Sequence, residues 1–205
     1  MCVHNRRVPR IVPTQRHACL LYRGARAVFL RVNIPFRDAH VAVAGEISER
    51  PGVRSLEVAY VWHASKFTRE VLDGLLGIGF IHHQQIIWNK GRTVLTKTLY
   101  WFQHEPCWFV RKKNAPWFGK AGENSTIWDS PSPKFIMGAS DEDKFDHPTQ
   151  KPVELMRRPI LNHLRRGELV YDPFLGSGTT LAAAELNERV CYGMELDPKY
   201  ADVVV

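Results

Sequence analysis

The residues with the clearest chemistry stand near the carboxyl end, where positions 171–180 read YDPFLGSGTT. An apolar run stops at Asp172, glycines follow at 176 and 178, and a helix-forming stretch begins near Thr179. Gly176 and Gly178 carry no Cβ, so backbone there can approach a ligand closely. Glu195 closes the next apolar run, seventeen residues after Gly178. A carboxylate so placed can accept both hydroxyls of a ribose, so the unit is expected to hold an adenosine-type cofactor. Thr179 stands where a phosphate-binding P-loop requires lysine. Leu181 stands where a dinucleotide fingerprint requires a small residue, which counts against NAD. A plain strand-to-helix turn would use the same glycines.

Elements that would position these residues can be read from periodicity. VYD belongs to a strand, LVYD (169–172); a helix is expected at 179–188 and another strand at 189–196. Upstream, LEVAYVW (56–62), IHHQQIIW (81–88) and part of 98–110 read as strands. Apolar residues at 67, 71, 72, 75, 76 and 78 have helical spacing, and glycines end that run. Pro152 is expected to start a helix that Pro159 kinks or restarts, and a last helix begins at Pro198. AVFLRV (27–32) is expected as a strand, and 38–50 as a helix with Asp38 as its N-cap. Strands alternating with helices point to an α/β fold with a mainly parallel sheet.

The chain has 205 residues and a net charge of +7. Residues 1–55 hold ten arginines against Asp38, Glu46 and Glu49, which is ten minus three and accounts for the whole excess. That segment reads either as a basic arm for DNA phosphates or as an Arg-rich stretch without a partner. Cys2, Cys19, Cys107 and Cys191 form no C-x-x-C pair, which suits a reducing cytoplasm and neither a disulfide framework nor a zinc site. Arg6-Arg7 is followed by too short an apolar stretch to serve as an export signal.

DPFLGSGTT, with ELDPKY at 195–200 and HPTQKP at 147–152, resembles the amino-directed DNA methyltransferases, which use S-adenosylmethionine to methylate adenine N6 or cytosine N4. The order of the motifs resembles the permuted class, in which the cofactor half follows the catalytic half. YVWHA (60–64), IIWNK (86–90) and QHEPCW (103–108) resemble the strands between. The resemblance implies a Rossmann-like methyltransferase fold: a mainly parallel twisted sheet with helices on both faces. It also implies S-adenosylmethionine as cofactor. Phe174, Gly176, Ser177, Gly178 and Thr179, following Asp172, would surround its methionine part. Glu195 would hold the ribose and Asp197 would flank the adenine. His147, Thr149, Lys151 and Pro152 would close over the methionine end, with Lys151 facing the cofactor carboxylate. On this reading residues 56–205 are the methyltransferase domain and 147–205 its cofactor-binding part.

Relatives also carry an Asp/Asn/Ser-Pro-Pro-aromatic tetrad that grips the target amine and stacks on the flipped base. No Asp-Pro-Pro-Tyr stands upstream of YVWHA. The nearest match is Asn33-Ile34-Pro35-Phe36, where Ile34 replaces a proline. Either it stands for the tetrad or residues 1–55 replace the catalytic segment, through truncation or a shifted frame, so the catalytic residues stay unassigned. The tetrad strand lies beside LVYD in such a sheet. Leaving its place empty would strand backbone groups on both neighbours, so either AVFLRV fills it or the protein is poorly stable alone.

Residues 100–135 hold nine of the 22 aromatics. Tyr100, Trp101, Phe102, Trp108 and Phe109 are read as strand core. Arg111, Lys112, Lys113, Trp117 and Lys120, in the loop region 111–146, are read as DNA contacts, since basic residues among aromatics suit phosphate contact and base stacking. The expected protein is a cytoplasmic, nucleoid-associated enzyme of restriction-modification or phage type, acting on double-stranded DNA. It uses no metal and makes no membrane contact. Monomer or homodimer stays open. The alternatives are a remnant that binds cofactor or DNA without catalysis, and an NAD-type oxidoreductase.

Overall fold

The computed structural model describes residues 39–44, 57–95, 97–131, 150–195 and 197–204. Among these, seven strands form one sheet: β1 (Ala39–Ala44), β2 (Val58–His63), β3 (Ile81–Asn89), β4 (His104–Arg111), β5 (Ile127–Asp129), β6 (Leu169–Asp172) and β7 (Val190–Gly193). The helices are α1 (Thr68–Gly77), α2 (Val153–His163), α3 (Thr179–Leu186) and α4 (Pro198–Val204). Strand order is β5-β3-β4-β2-β1-β6-β7. Only β3–β5 and β6–β7 pair in parallel. The pairings of β1 and β4 with their neighbours are all antiparallel. Five strands therefore share one direction, and the two reversed strands sit among them. The sheet is mainly parallel in direction, as expected, while most of its ladders are antiparallel.

Hydrophobic alternation explains the two-sided packing. In β2, Val58, Tyr60 and Trp62 join Leu155, Met156 and Ile160 of α2 and Ala183 and Ala184 of α3 in one buried cluster. The intervening Val61 pairs across with Trp108, whose indole N–H donates to the Thr68 carbonyl of α1. Alternate residues of a strand face opposite ways, so α1 covers one face while α2 and α3 cover the other. Tyr60 stacks on Phe109 at 4.7 Å, and Trp62 meets Trp88 and Trp128 edge to face at 6.3 and 6.0 Å. Each such ring removes roughly 150–250 Å² from water, which at about 25 cal/mol per Å² contributes on the order of 5 kcal/mol before entropy is charged.

Three expectations need correction. Residues 39–44 are a strand and not the start of a helix; 38 and 45–50 lie outside the described residues. AHVAVA carries β-branched valines at alternate positions, which suits a strand. The place between β2 and β6 is thus filled by β1, from within the Arg-rich segment. AVFLRV also lies outside the described residues. Second, Pro159 does not restart the helix, since α2 runs on through it. Third, Tyr100, Trp101 and Phe102 are not core: they are 90%, 51% and 38% exposed, ahead of β4. Trp108 and Phe109 are buried as expected.

Candidate functional site

The carboxyl ends of β2, β3, β6 and β7 share one edge of the sheet. At β6, Asp172 is buried and accepts the Phe174 N–H at 2.9 Å and the Thr180 hydroxyl at 2.6 Å. Burial raises its pKa to about 6, against the pull of those donors and of Lys151. The chain then turns through Gly176 and Gly178, both with positive φ (56° and 83°), and Gly178 is the N-cap of α3. A Cβ on Gly178 would meet the Val204 side chain at 3.0 Å. Left-handed backbone and a close neighbour together explain why glycine stands there.

Glu195 follows β7 and lies against this turn. One carboxylate oxygen accepts the Gly176 N–H at 2.7 Å and the other the Asp197 N–H at 2.9 Å. Asp197 in turn accepts the Lys199 N–H at 3.0 Å, capping α4. Glu195 thus ties the glycine turn to the start of α4. The Thr179 hydroxyl donates to the Lys151 carbonyl at 3.1 Å, which ties the turn to the segment ahead of α2. Pro152 is buried and is the N-cap of α2. His147 and Thr149 lie outside the described residues, as do Asn33 to Phe36.

Lys151 occupies a place the sequence did not reveal. Its ammonium is 6% exposed and 2.7 Å from Glu105, at the start of β4. Lys90, just after β3, reaches the other Glu105 oxygen at 3.2 Å. The Lys151 ammonium also lies 6.0 and 5.9 Å from the rings of Trp62 and Trp88. Burial pushes the Glu105 pKa up, but the two ammonium groups outweigh it and bring it down to about 2. Lys151 is thus held in an ion triad with Glu105 and Lys90.

A second polar chain crosses the core. Tyr60 donates its hydroxyl to His163 Nε2 at 2.9 Å, and His163 Nδ1 meets the Pro116 carbonyl at 2.6 Å. A carbonyl only accepts, so Nδ1 carries the proton. Burial lowers the His163 pKa to about 4, despite the raising effect of that carbonyl.

The basic residues read as DNA contacts lie at the other end of β4. Arg111 is six residues along the strand from Glu105, roughly 20 Å at 3.4 Å per residue. Its guanidinium donates to His83 and to the Lys113 carbonyl at 3.3 and 3.1 Å. The Lys112 ammonium donates to the carbonyls of Gly79 and Ile78 at 2.8 and 3.2 Å, at the end of α1. Lys113 is exposed, Lys120 pairs with Glu123 at 3.2 Å, and Trp117 is 44% exposed beside His163.

Comparison with known proteins matches this arrangement to methyltransferases. The DNA adenine methyltransferase YhdJ of Escherichia coli is 39% identical over 74 residues, which is 36% of this chain and 24% of YhdJ. The chain therefore spans about a quarter of that relative. A crystal structure of the M1.HpyAVI–SAM complex is 27% identical, covers 71% of each chain and has a TM-score of 0.56. The cytosine-N4-specific PvuII DNA methyltransferase, 17% identical over 81% of this chain and 62% of its own, shares the fold with a TM-score of 0.58. The DNA methylase family of the N6/N4 type matches residues 58–205, from the first residue of β2 through the glycine turn and Glu195, and the chain belongs to that family.

Proposed function

We propose that the protein transfers a methyl group from S-adenosylmethionine to the exocyclic amine of adenine (N6) or cytosine (N4) in double-stranded DNA. The observation that carries this reading is the carboxylate of Glu195 on the Gly176 N–H, which brings the glycine turn and the strand-end carboxylate together, as an adenosine site would need. Phe174, Gly176, Ser177, Gly178 and Thr179 would surround the methionine part, and Glu195 and Asp197 the nucleoside, with Asp172 holding the turn from behind. His147, Thr149, Lys151 and Pro152 would close the methionine end. When bound, the cofactor supplies an electrophilic sulfonium methyl. The chain's own work is to aim an amine at it and exclude water.

The family match and the excess positive charge support double-stranded DNA as partner. Arg111, Lys112, Lys113, Trp117 and Lys120 are proposed to meet it outside the cofactor edge, where Lys113 and Lys120 offer their charge to solvent. A cytoplasmic, nucleoid-associated location fits such a substrate, and among the described residues no helix is long and apolar enough to cross a membrane. The test is tritiated methyl transfer from S-adenosylmethionine to unmodified DNA. Label in adenine or cytosine amines supports the proposal. A folded preparation that binds the cofactor but labels neither contradicts it.

A further inference from the structure

A slot of about 90 Å³ opens on the α2 face of the sheet, away from the cofactor edge. Three of its lining side chains stand in one row across the sheet: Tyr60 of β2 is paired to Phe109 of β4, and Phe109 to Gln84 of β3. Phe109 is four residues along β4 from Glu105, roughly 14 Å at 3.4 Å per residue. Tyr60, Phe109, Trp117 and Trp128 supply the rings of the slot, and Gln84, Asn124 and Asn162 its amides. Its outer wall is braced. The Phe118 N–H donates to the Asn162 carbonyl at 2.7 Å and the Ile87 N–H to the Thr126 carbonyl at 2.8 Å. The Asn162 amide donates to Asn124 at 3.1 Å, and the Asn124 amide to the Lys120 carbonyl at 3.3 Å. A Cβ on Gly119 would come 2.7 Å from both Asn162 Oδ1 and the Trp117 ring, so glycine lets the loop close down there. A cavity held in shape before its ligand arrives lowers the ordering cost of binding.

The lining selects the ligand. Tyr60 commits its hydroxyl to His163 and Trp128 its indole N–H to the Ser125 carbonyl, so both present ring surface alone. Among the described residues no carboxylate lines the slot, which gives an organic cation no counter-charge. Lys120 is the one charged residue of that lining, and Glu123 already pairs with it at 3.2 Å. An uncharged ring is left. The Gln84 amide is exposed and makes no hydrogen bond among the described residues. A primary amide offers a donor and an acceptor side by side, which match N7 and the N6 amine of adenine. Aromatic side chains take the faces of such a ring. A whole benzene fills a cavity of about 150 Å³, so this slot takes the edge of a base and leaves its sugar in solvent. We propose that the slot binds an adenine-type ring, with Gln84 on the N6–N7 edge and Trp117 against a face, at a place separate from the cofactor edge. That ring has two sources, a free nucleoside or an unpaired base of a nucleic acid. The slot does not rest on the methyltransferase reading.

Calorimetry on the full chain tests it, with adenosine titrated with and without an excess of S-adenosylmethionine to fill the glycine turn. Inosine, which carries a carbonyl in place of the N6 amine, is the matched control. A duplex with one unpaired adenine, set beside the same duplex fully paired, covers the second source. Adenosine is expected to bind about tenfold more tightly than inosine, the scale of one two-pronged base contact. Gln84→Ala is expected to weaken adenosine about tenfold and to erase the preference over inosine. Trp117→Ala is expected to weaken both nucleosides alike, again about tenfold. Both variants are expected to keep the parent's affinity for S-adenosylmethionine. Gln84-dependent binding of adenosine assigns the slot to free nucleosides, and Gln84-dependent binding of the unpaired adenine alone assigns it to a nucleic acid; each supports the proposal. Binding of neither overturns it. So does adenosine binding that Gln84→Ala leaves unchanged, which would place the nucleoside elsewhere. Gln84-dependent binding in a parent that takes no S-adenosylmethionine supports the slot and sinks the methyl-donor reading.

Discussion

At the scale of single residues, the site depends on a few groups whose environment changes their chemistry. Glu105 has two lysines on it, one of them almost wholly buried. Glu105→Gln would leave two ammonium groups facing one another without a counter-charge. The expected loss is about 3 kcal/mol, the low end for breaking a buried pair, because 21% of the Glu105 side chain stays exposed; denaturant unfolding measures it. His163 gives a pH signature. Its folded pKa, about 4, lies below the ordinary value near 6.5. Its stability contribution is therefore complete above pH 6.5 and is lost as pH falls toward 4. His163→Gln should remove roughly 3 kcal/mol of that acid sensitivity, since each pKa unit is worth about 1.4 kcal/mol. Unfolding free energies of both proteins at pH 7 and pH 4.5 provide the comparison. Neither pair was visible in the sequence, because Tyr60 and His163 stand 103 residues apart and Lys151 lies far from Glu105 along the chain. Gly176, Gly178 and Glu195 were legible because a left-handed turn and a strand-end carboxylate each leave a mark on local sequence.

At the scale of elements, periodicity located β2, β3, β4, β6, β7 and the helices α1 to α4 to within a few residues. It failed where an element is set by its neighbours. AHVAVA has no strong preference between helix and strand when alanine and valine alternate, and the demand of two flanking strands for partners decides the matter. The three-residue β5 is too short to show a period, and it pairs with β3 through Ile87, Trp88 and Asn89. Tyr100 to Phe102 were assigned to core because aromatics usually are, yet they lie exposed ahead of β4. β1 offers the sharpest test at this scale. Val43 is paired to Tyr171 of β6, and β1 has a strand on either side. Val43→Pro puts a residue without a ladder donor inside an interior strand and should lower the melting temperature, by roughly 2–4 °C for each kcal/mol lost. An unaltered melting curve would remove β1 from the middle of the sheet.

At the scale of the whole molecule, the edge that holds Asp172, the glycine turn, Glu195 and Lys151 is also the edge from which the chain between β3 and β4 projects. Arg111 and Lys112, proposed with Lys113 and Lys120 to meet DNA, stand at the far end of β4 and also serve the fold through bonds to His83 and to the Gly79 carbonyl just after α1. Lys112→Ala is therefore expected to lower the melting temperature, while Lys113→Ala with Lys120→Ala should flatten the salt dependence of DNA binding without that cost. Fold class and family were readable from motifs strung along 150 residues, since each motif is local. The division of labour among the cations was not, because it depends on which edge of the sheet each one reaches. The most direct test of the cofactor site is calorimetric titration of S-adenosylmethionine into the full chain and into Gly178→Trp. One-to-one binding to the parent and none to the variant is the predicted result. Heat of binding absent from the parent, or unchanged in the variant, would contradict a cofactor pocket built on the glycine turn and Glu195.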